Sequence, residues 1–183
     1  ARRLDGDALL LMLARRMKRA GKLNPPVVIG TLMTNFALEK LLASEGIGLK
    51  RVAVGDRYIF ESMEHGEGGL GGEPSGHIIF RDFELSGDAL LTTLKLAQVI
   101  VEDGASLDAL TRDWQEAPQL LKGVRISRKI PLEDLPELQA RMNAIHRALE
   151  GCGRMVVRYS GTEPLLRIMI ESDDAARNET LME

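Results

Sequence analysis

Apolar residues recur at helical spacing over residues 7–20, where Leu9, Leu10, Leu13 and Met17 predict one buried face. Asp7 stands where an N-cap belongs and Gly21 where a helix stops. Arg15, Arg16, Lys18 and Arg19 crowd the last turns, where cations complement the carbonyl end of the helix. They read as a solvated face in preference to a basic anion site. After Pro25-Pro26, the run Val27-Val28-Ile29 predicts a short buried strand. Thr34 or Asn35 caps a helix that passes through Leu41-Leu42 and stops at Gly46. Arg51-Val52-Ala53-Val54 predicts the next strand, with Asp56 as cap of the helix that follows. His77-Ile78-Ile79-Phe80 predicts another strand. Ser86 opens a long helix whose buried stripe is Leu90, Leu91, Leu94 and Val101, ended by Gly104; a short helix runs from Ser106 to about Arg112.

Strands alternating with helices predict a layered α/β domain with a mostly parallel mixed sheet over residues 1–117. The pattern changes at Trp114 to Pro118, which is read as a hinge. Beyond it come a strand around Val124-Arg125-Ile126, a helix around Leu135 to Leu149, a hairpin, and a helix starting at Asp173. Residues 118–183 therefore read as a small α+β domain, its helices on one face of a mainly antiparallel sheet.

Composition narrows the function classes. The 183 residues are 44% hydrophobic and 28% charged, with a formal net charge of −3. No basic run is present, which argues against nucleic acid as a partner. One cysteine, Cys152, makes no internal disulfide, which fits a reducing cytoplasm. The apolar runs fall far short of ~20 residues, so no membrane span is expected.

Candidate chemistry sits on two glycine-containing stretches. In Gly71-Gly72-Glu73-Pro74-Ser75-Gly76-His77, three polar side chains alternate, and an extended backbone would point Glu73, Ser75 and His77 to one side. A carboxylate, a hydroxyl and an imidazole there suit a polyhydroxylated ligand. In Arg158-Tyr159-Ser160-Gly161-Thr162-Glu163-Pro164, a tight polar loop joins two apolar runs. Gly161 lets backbone N–H groups converge into an anion nest, and the planar fork of Arg158 matches phosphate oxygens. The alternative for each stretch is an ordinary polar turn facing water. Asp56 and Arg57 follow a strand's carboxyl end, where ligands reach α/β sheets; an N-cap and a surface arginine are the competing reading.

Together and in this order, GGEPSGH and RYSGTEPLLRIMIE resemble the sugar-binding and phosphate-binding loops of the α-D-phosphohexomutases. The bacterial phosphoglucosamine mutase branch is the closer match. Leu4-Asp5-Gly6-Asp7-Ala8-Leu9-Leu10, Val54-Gly55-Asp56-Arg57-Tyr58 and Ser86-Gly87-Asp88-Ala89-Leu90-Leu91 agree, so the resemblance spans nearly the whole chain. It implies the third domain of the family, N-terminally incomplete, followed by the C-terminal phosphate-binding domain, with truncation at its C-terminal end left open. The family's phosphorylated serine in a Ser-His-Asn context and its magnesium loop of alternating aspartates followed by arginine are both absent. Asp5-Gly6-Asp7 is no substitute for that loop, and no metal ligand is expected in this chain.

For chemistry, the resemblance implies an isomerase, an intramolecular phosphotransferase. It interconverts glucosamine 6-phosphate and glucosamine 1-phosphate, on the route to peptidoglycan precursors. The phosphoserine donates to the sugar, a hexose bisphosphate forms and reorients, and Mg2+ serves the intact enzyme. Glu73, Ser75 and His77 would hold the sugar, with His77 as a proton shuttle. Arg158, Ser160, Gly161, Thr162 and, more weakly, Arg167 would grip the phosphate that is not reacting. Asp56 and Arg57 would border the cleft at the hinge. The implied partners are a phosphosugar and the missing N-terminal domains of the same enzyme, with a homodimer left open. The alternatives are a phosphomannomutase or phosphoglucomutase fragment, or a non-catalytic phosphosugar-binding module.

Overall fold

The computed structural model describes residues 3–83 and 87–183. They form two compact units, Ala1–Glu116 and Ala117–Glu183.

In the first unit, helix α1 (Gly6–Arg19) starts two residues earlier in effect than its sequence suggests. Its N-cap is Asp5, whose carboxylate accepts the Ala8 N–H, so Asp7 is not the cap. Asp7 is 1% exposed and accepts the Asn35 N–H at 2.7 Å, so it bridges to the next helix instead. The first half of α1 is buried nearly all round, with Leu11, Met12 and Ala14 inside as well as Leu10 and Leu13. It touches other elements on several sides, so a single apolar face would not suffice. At its basic end Lys18 and Arg19 are exposed, as a solvated face would be, yet every one of the four cations has a partner. Arg15 holds Glu45 and Asp113, Arg16 holds Glu102, Arg19 holds Asp103, and Lys18 donates to the Glu45 and Gly46 carbonyls. These cations tie α1 to its neighbours.

Strand β1 (Val27–Thr31) leads to α2 (Phe36–Ser44), which Asn35 caps through the Ala37 N–H. Strand β2 (Gly48–Val52) ends before Ala53, earlier than the apolar run suggests. Helix α3 (Asp56–Glu64) has Gly55 as its N-cap residue with no side-chain cap, so Asp56 is inside the helix and does not cap it. Strands β3 (Leu70–Gly72) and β4 (Ile78–Phe80) complete a sheet of order β2-β1-β3-β4. β1 runs parallel to β2 and β3, and β3 pairs antiparallel with β4. One side of the sheet is sealed by Val28, Leu70, Ile78 and α1; Ile29, Ile79, Ile59 and Met63 form a separate cluster with α3.

Helix α4 (Ala89–Asp103) is capped by Asp88; Ser86, expected to open it, lies outside the described residues. Of its expected buried stripe only Leu91 packs inward. Leu90, Leu94 and Val101 are exposed, at 69%, 59% and 80%, while Val99 and Thr92 are buried and Leu91 and Leu96 pack on the core. The helix is apolar on two faces, and hydrophobicity alone does not say which one meets α1. Gly104, at φ 59°, ends it, and α5 (Leu107–Leu110) follows a Ser106 cap.

The second unit holds β5 (Gln119–Arg125), α6 (Pro136–Ala148), β6 (Gly153–Tyr159), β7 (Leu165–Ser172) and α7 (Ala175–Met182). Its sheet has the order β5-β7-β6, antiparallel throughout. Ile145 and Leu149 of α6 and Leu181 and Met182 of α7 pack with Met155, Val157, Ile168 and Ile170. Both helices thus cover one face. On the other, Arg154 pairs with the fully buried Glu171, which also accepts from Gln119. Among the described residues no helix is long and apolar enough to cross a membrane.

Candidate functional site

In the first unit the stretch Glu73–His77 is the turn of the β3–β4 hairpin, not an extended segment. The Glu73 N–H donates to the His77 carbonyl and the Gly76 N–H to the Glu73 carbonyl, both at 3.0 Å. Gly76 takes φ 97°, a value that favours glycine. Glu73 and His77 therefore share a side because they face each other across a hairpin, where alternation had suggested the same outcome for another reason. Ser75 Oγ and His77 Nδ1 share a hydrogen bond of 3.0 Å.

The loop is anchored at two points. The Gly6 N–H donates to the Pro74 carbonyl at 3.0 Å, and the Gly55 N–H donates to Glu73 Oε1 at 3.2 Å. Gly55 has φ 127°, so glycine is what lets that N–H turn toward the carboxylate. Asp56, the next residue, comes with it. Donor atoms of Asp56, Glu73 and His77 all lie within 4.8 Å of one another. Gly87 closes the group on another side; a Cβ there would stand 3.4 Å from His77 Cδ2. Arg57 goes elsewhere: it is exposed and pairs with Glu61 one turn along α3.

Burial pushes the Glu73 carboxyl above its ordinary value of 4.5, and the neighbouring Asp56 carboxyl raises it further. The Gly55 N–H and His77 act the other way. The folded chain thus holds this proton more tightly than the unfolded chain. Stability falls as pH rises from 4.5 through the raised midpoint. A carbon-detected NMR titration of Glu73 will give a midpoint above 4.5, and Asp56→Asn will lower it. A parent midpoint at or below 4.5 would contradict the geometry.

In the second unit the loop between β6 and β7 carries the other candidates. Ser160 is 2% exposed, and its hydroxyl accepts the Glu163 N–H at 3.3 Å, so it shapes the turn from inside. Gly161 and Thr162 are exposed, and among the described residues no acceptor faces their N–H groups. Arg158 and Arg167 are cross-strand partners, so their side chains leave the same face of the sheet. Arg167 pairs with Glu163, while Arg158 has no ion-pair partner among the described residues.

An open cavity of about 320 Å³ borders this loop, lined by residues 126–129 and 161–164. Ile126, read as part of the strand, lies just past the end of β5, and residues 127–129 escaped the sequence reading, although Arg128-Lys129 before Pro131 is a visible basic pair. Lys129 Nζ donates to the Ser160 carbonyl at 2.7 Å. Tyr159, to which the sequence assigned no role, fixes the same segment: its hydroxyl donates to the Ile130 carbonyl at 2.5 Å and accepts the Ile130 N–H.

No magnesium loop can be made from Asp5 and Asp7. One caps α1 and the other is buried against Asn35. Asp56, Glu73 and His77 form a mixed nitrogen and oxygen set, whereas magnesium prefers oxygen ligands alone.

Comparison with known proteins agrees with the two-part organisation. Residues 5–117 match the phosphoglucomutase/phosphomannomutase alpha/beta/alpha domain III, and residues 121–183 match the C-terminal domain of the same proteins. The phosphoglucosamine mutase of Koribacter versatilis is 43% identical over 175 residues, covering 95% of this chain and 38% of the relative. That of Marinomonas sp. is 42% identical over 180 residues, covering 98% of this chain and 40% of the relative. The chain thus spans about two fifths of the length of these relatives. Among solved structures, the N-acetylphosphoglucosamine mutase of Aspergillus fumigatus superposes with a TM-score of 0.78 at 18% identity, over 98% of this chain and 42% of that one, which shows a shared fold. The chain belongs to the phosphoglucomutase/phosphomannomutase family and carries its domain III followed by its C-terminal domain.

Proposed function

We propose that this chain supplies the sugar-binding and phosphate-binding loops of a phosphoglucosamine mutase. In that reaction glucosamine 6-phosphate and glucosamine 1-phosphate interconvert through a phosphoserine and a hexose bisphosphate. The observation that carries the reading is the β6–β7 loop. Among the described residues, it presents two backbone N–H groups without acceptors and follows an arginine without an ion-pair partner. Such a set awaits an anion. The relatives named phosphoglucosamine mutase favour the amino sugar among phosphohexoses.

Each loop has a role in this reading. Glu73 accepts hydrogen bonds from ring hydroxyls, and Ser75 presents a hydroxyl beside it. His77, bonded to Ser75, moves a proton near the reacting oxygen. Arg158, Gly161 and Thr162 hold the remote phosphate, with Ser160 keeping the turn in shape and Arg167 balancing Glu163. Holding the remote group positions the reacting one, from which much of phosphoryl-transfer catalysis derives. Magnesium, which accompanies GlcNAc-6P in the Aspergillus fumigatus N-acetylphosphoglucosamine mutase crystal, would neutralise charge on the transferring group. The residues present here do not make its oxygen-ligand site, so no step is routed through it.

The test is a 15N NMR titration of the chain with glucosamine 6-phosphate. Shifts at Gly161, Thr162 and the Glu73–His77 turn are expected. Shifts confined to other surfaces would overturn the reading. The Ser-His-Asn and triple-aspartate motifs are absent from the sequence, so the purified chain is expected to leave glucosamine 6-phosphate unconverted. Turnover with magnesium and a hexose bisphosphate would show otherwise.

A further inference from the structure

We propose that Arg128 is a second guanidinium of the phosphate site and that Lys129 positions the loop it faces. The inference rests on the phosphate-binding reading of residues 158–162 and extends it to a segment from a different part of the chain.

Three observations meet here. First, Arg128 and Lys129 line the same open cavity as Gly161 and Thr162, whose N–H groups have no acceptors among the described residues. Arg158 does not line that cavity. The cations that line the cavity with those N–H groups therefore come from the segment after β5. Second, Arg128 is exposed and has no hydrogen-bond or ion-pair partner among the described residues. Glu163, the acidic residue of the cavity wall, is held by Arg167. Its charge is thus partly balanced before an anion arrives, and Arg128 is left for that anion. Third, the segment is fixed in place. Tyr159 bonds both backbone groups of Ile130, and Lys129 donates to the Ser160 carbonyl. On the other side the Ile126 N–H donates to the Pro164 carbonyl at 3.0 Å, so Arg128 lies between anchored neighbours, which lowers the ordering cost of aiming its side chain.

The chemistry selects a phosphate monoester dianion. Backbone N–H groups on one wall and a guanidinium on the other offer donors from two directions. The planar fork of arginine matches two phosphate oxygens at once. Lys129 is occupied at the Ser160 carbonyl and acts through the loop, by setting the orientation of the peptide that precedes Gly161.

The experiment titrates the whole chain with glucosamine 6-phosphate and, separately, inorganic phosphate, read at the Gly161 and Thr162 amides. Arg128→Ala should weaken both ligands by roughly tenfold, and Arg128→Lys should restore part of the loss. Arg125→Ala, from the adjacent strand and outside the cavity lining, should leave both within about twofold. Lys129→Ala should move the free-chain Gly161 amide and weaken binding, with Lys129→Arg restoring both. If Arg128→Ala binds like the parent while Arg158→Ala loses affinity, the inference fails and the phosphate reading stands. If neither substitution changes binding, the phosphate reading fails and takes the inference with it. Unfolding of a variant would show as lost dispersion away from the loop, and Arg128→Gln would then serve in its place.

Discussion

Gly6→Ala will destabilise the chain by about 1–3 kcal/mol and displace the candidate sugar loop. A Cβ at Gly6 would stand 2.0 Å from the Glu73 carbonyl oxygen and 2.8 Å from the Gly76 nitrogen. Both are backbone atoms of the hairpin turn, so no side-chain rotation relieves the clash. Either α1 or the turn must move. α1 is buried nearly all round through Ala14, so the turn yields, and the bond from the Gly6 N–H to Pro74 goes with it. Chemical denaturation measures the loss, and amide shifts at Glu73–His77 measure the displacement. Gly161→Ala is the control, because a Cβ there meets nothing within 4 Å. Equal stability of Gly6→Ala and Gly161→Ala would refute the account.

Arg158→Ala will cost more hexose-phosphate affinity than Glu73→Ala. A charge-assisted, forked contact with phosphate contributes about 1–3 kcal/mol, against roughly 1 kcal/mol for a carboxylate accepting from a sugar hydroxyl. The arginine variant should therefore lose about tenfold to a hundredfold in Kd. The glutamate variant should lose less, partly because Glu73 sits beside Asp56 and removing it relieves like-charge contact. Parallel titrations with glucosamine 6-phosphate decide the order. Retained affinity in Arg158→Ala together with lost affinity in Glu73→Ala would reverse the assignment of the two loops.

What the sequence made legible was local. Strand-and-helix alternation gave the layered α/β unit, and Asn35, Ser106, Gly46 and Gly104 marked helix ends by their own backbone chemistry. Polar spacing between glycines located both loops. What escaped it depended on partners distant in sequence. Asp7 is not a cap because the Asn35 N–H claims it. Leu90, Leu94 and Val101 face outward because α4 packs through Leu91, Leu96 and Val99 instead, a choice between two apolar faces. Asp56 meets Glu73 and His77 only because Gly55 turns its N–H into the hairpin. Residues 127–129, on the wall of the cavity beside the β6–β7 loop, had no motif of their own, since their meaning comes from the loop they border.

The strand orders leave β2 and β4 at the margins of one sheet and β5 and β6 at the margins of the other. An open margin can recruit a strand from another molecule, and charge or brevity discourages it. β4 has three residues, while β2 carries Lys50 and Arg51, β5 carries Lys122 and Arg125, and β6 carries Arg154 and Arg158. Arg158 therefore sits on a sticky border as well as in the proposed phosphate grip. Replacing it with alanine would alter both at once and blur ligand loss with self-association. Lysine separates them, since it keeps the repelling charge at the margin and gives up only the planar fork.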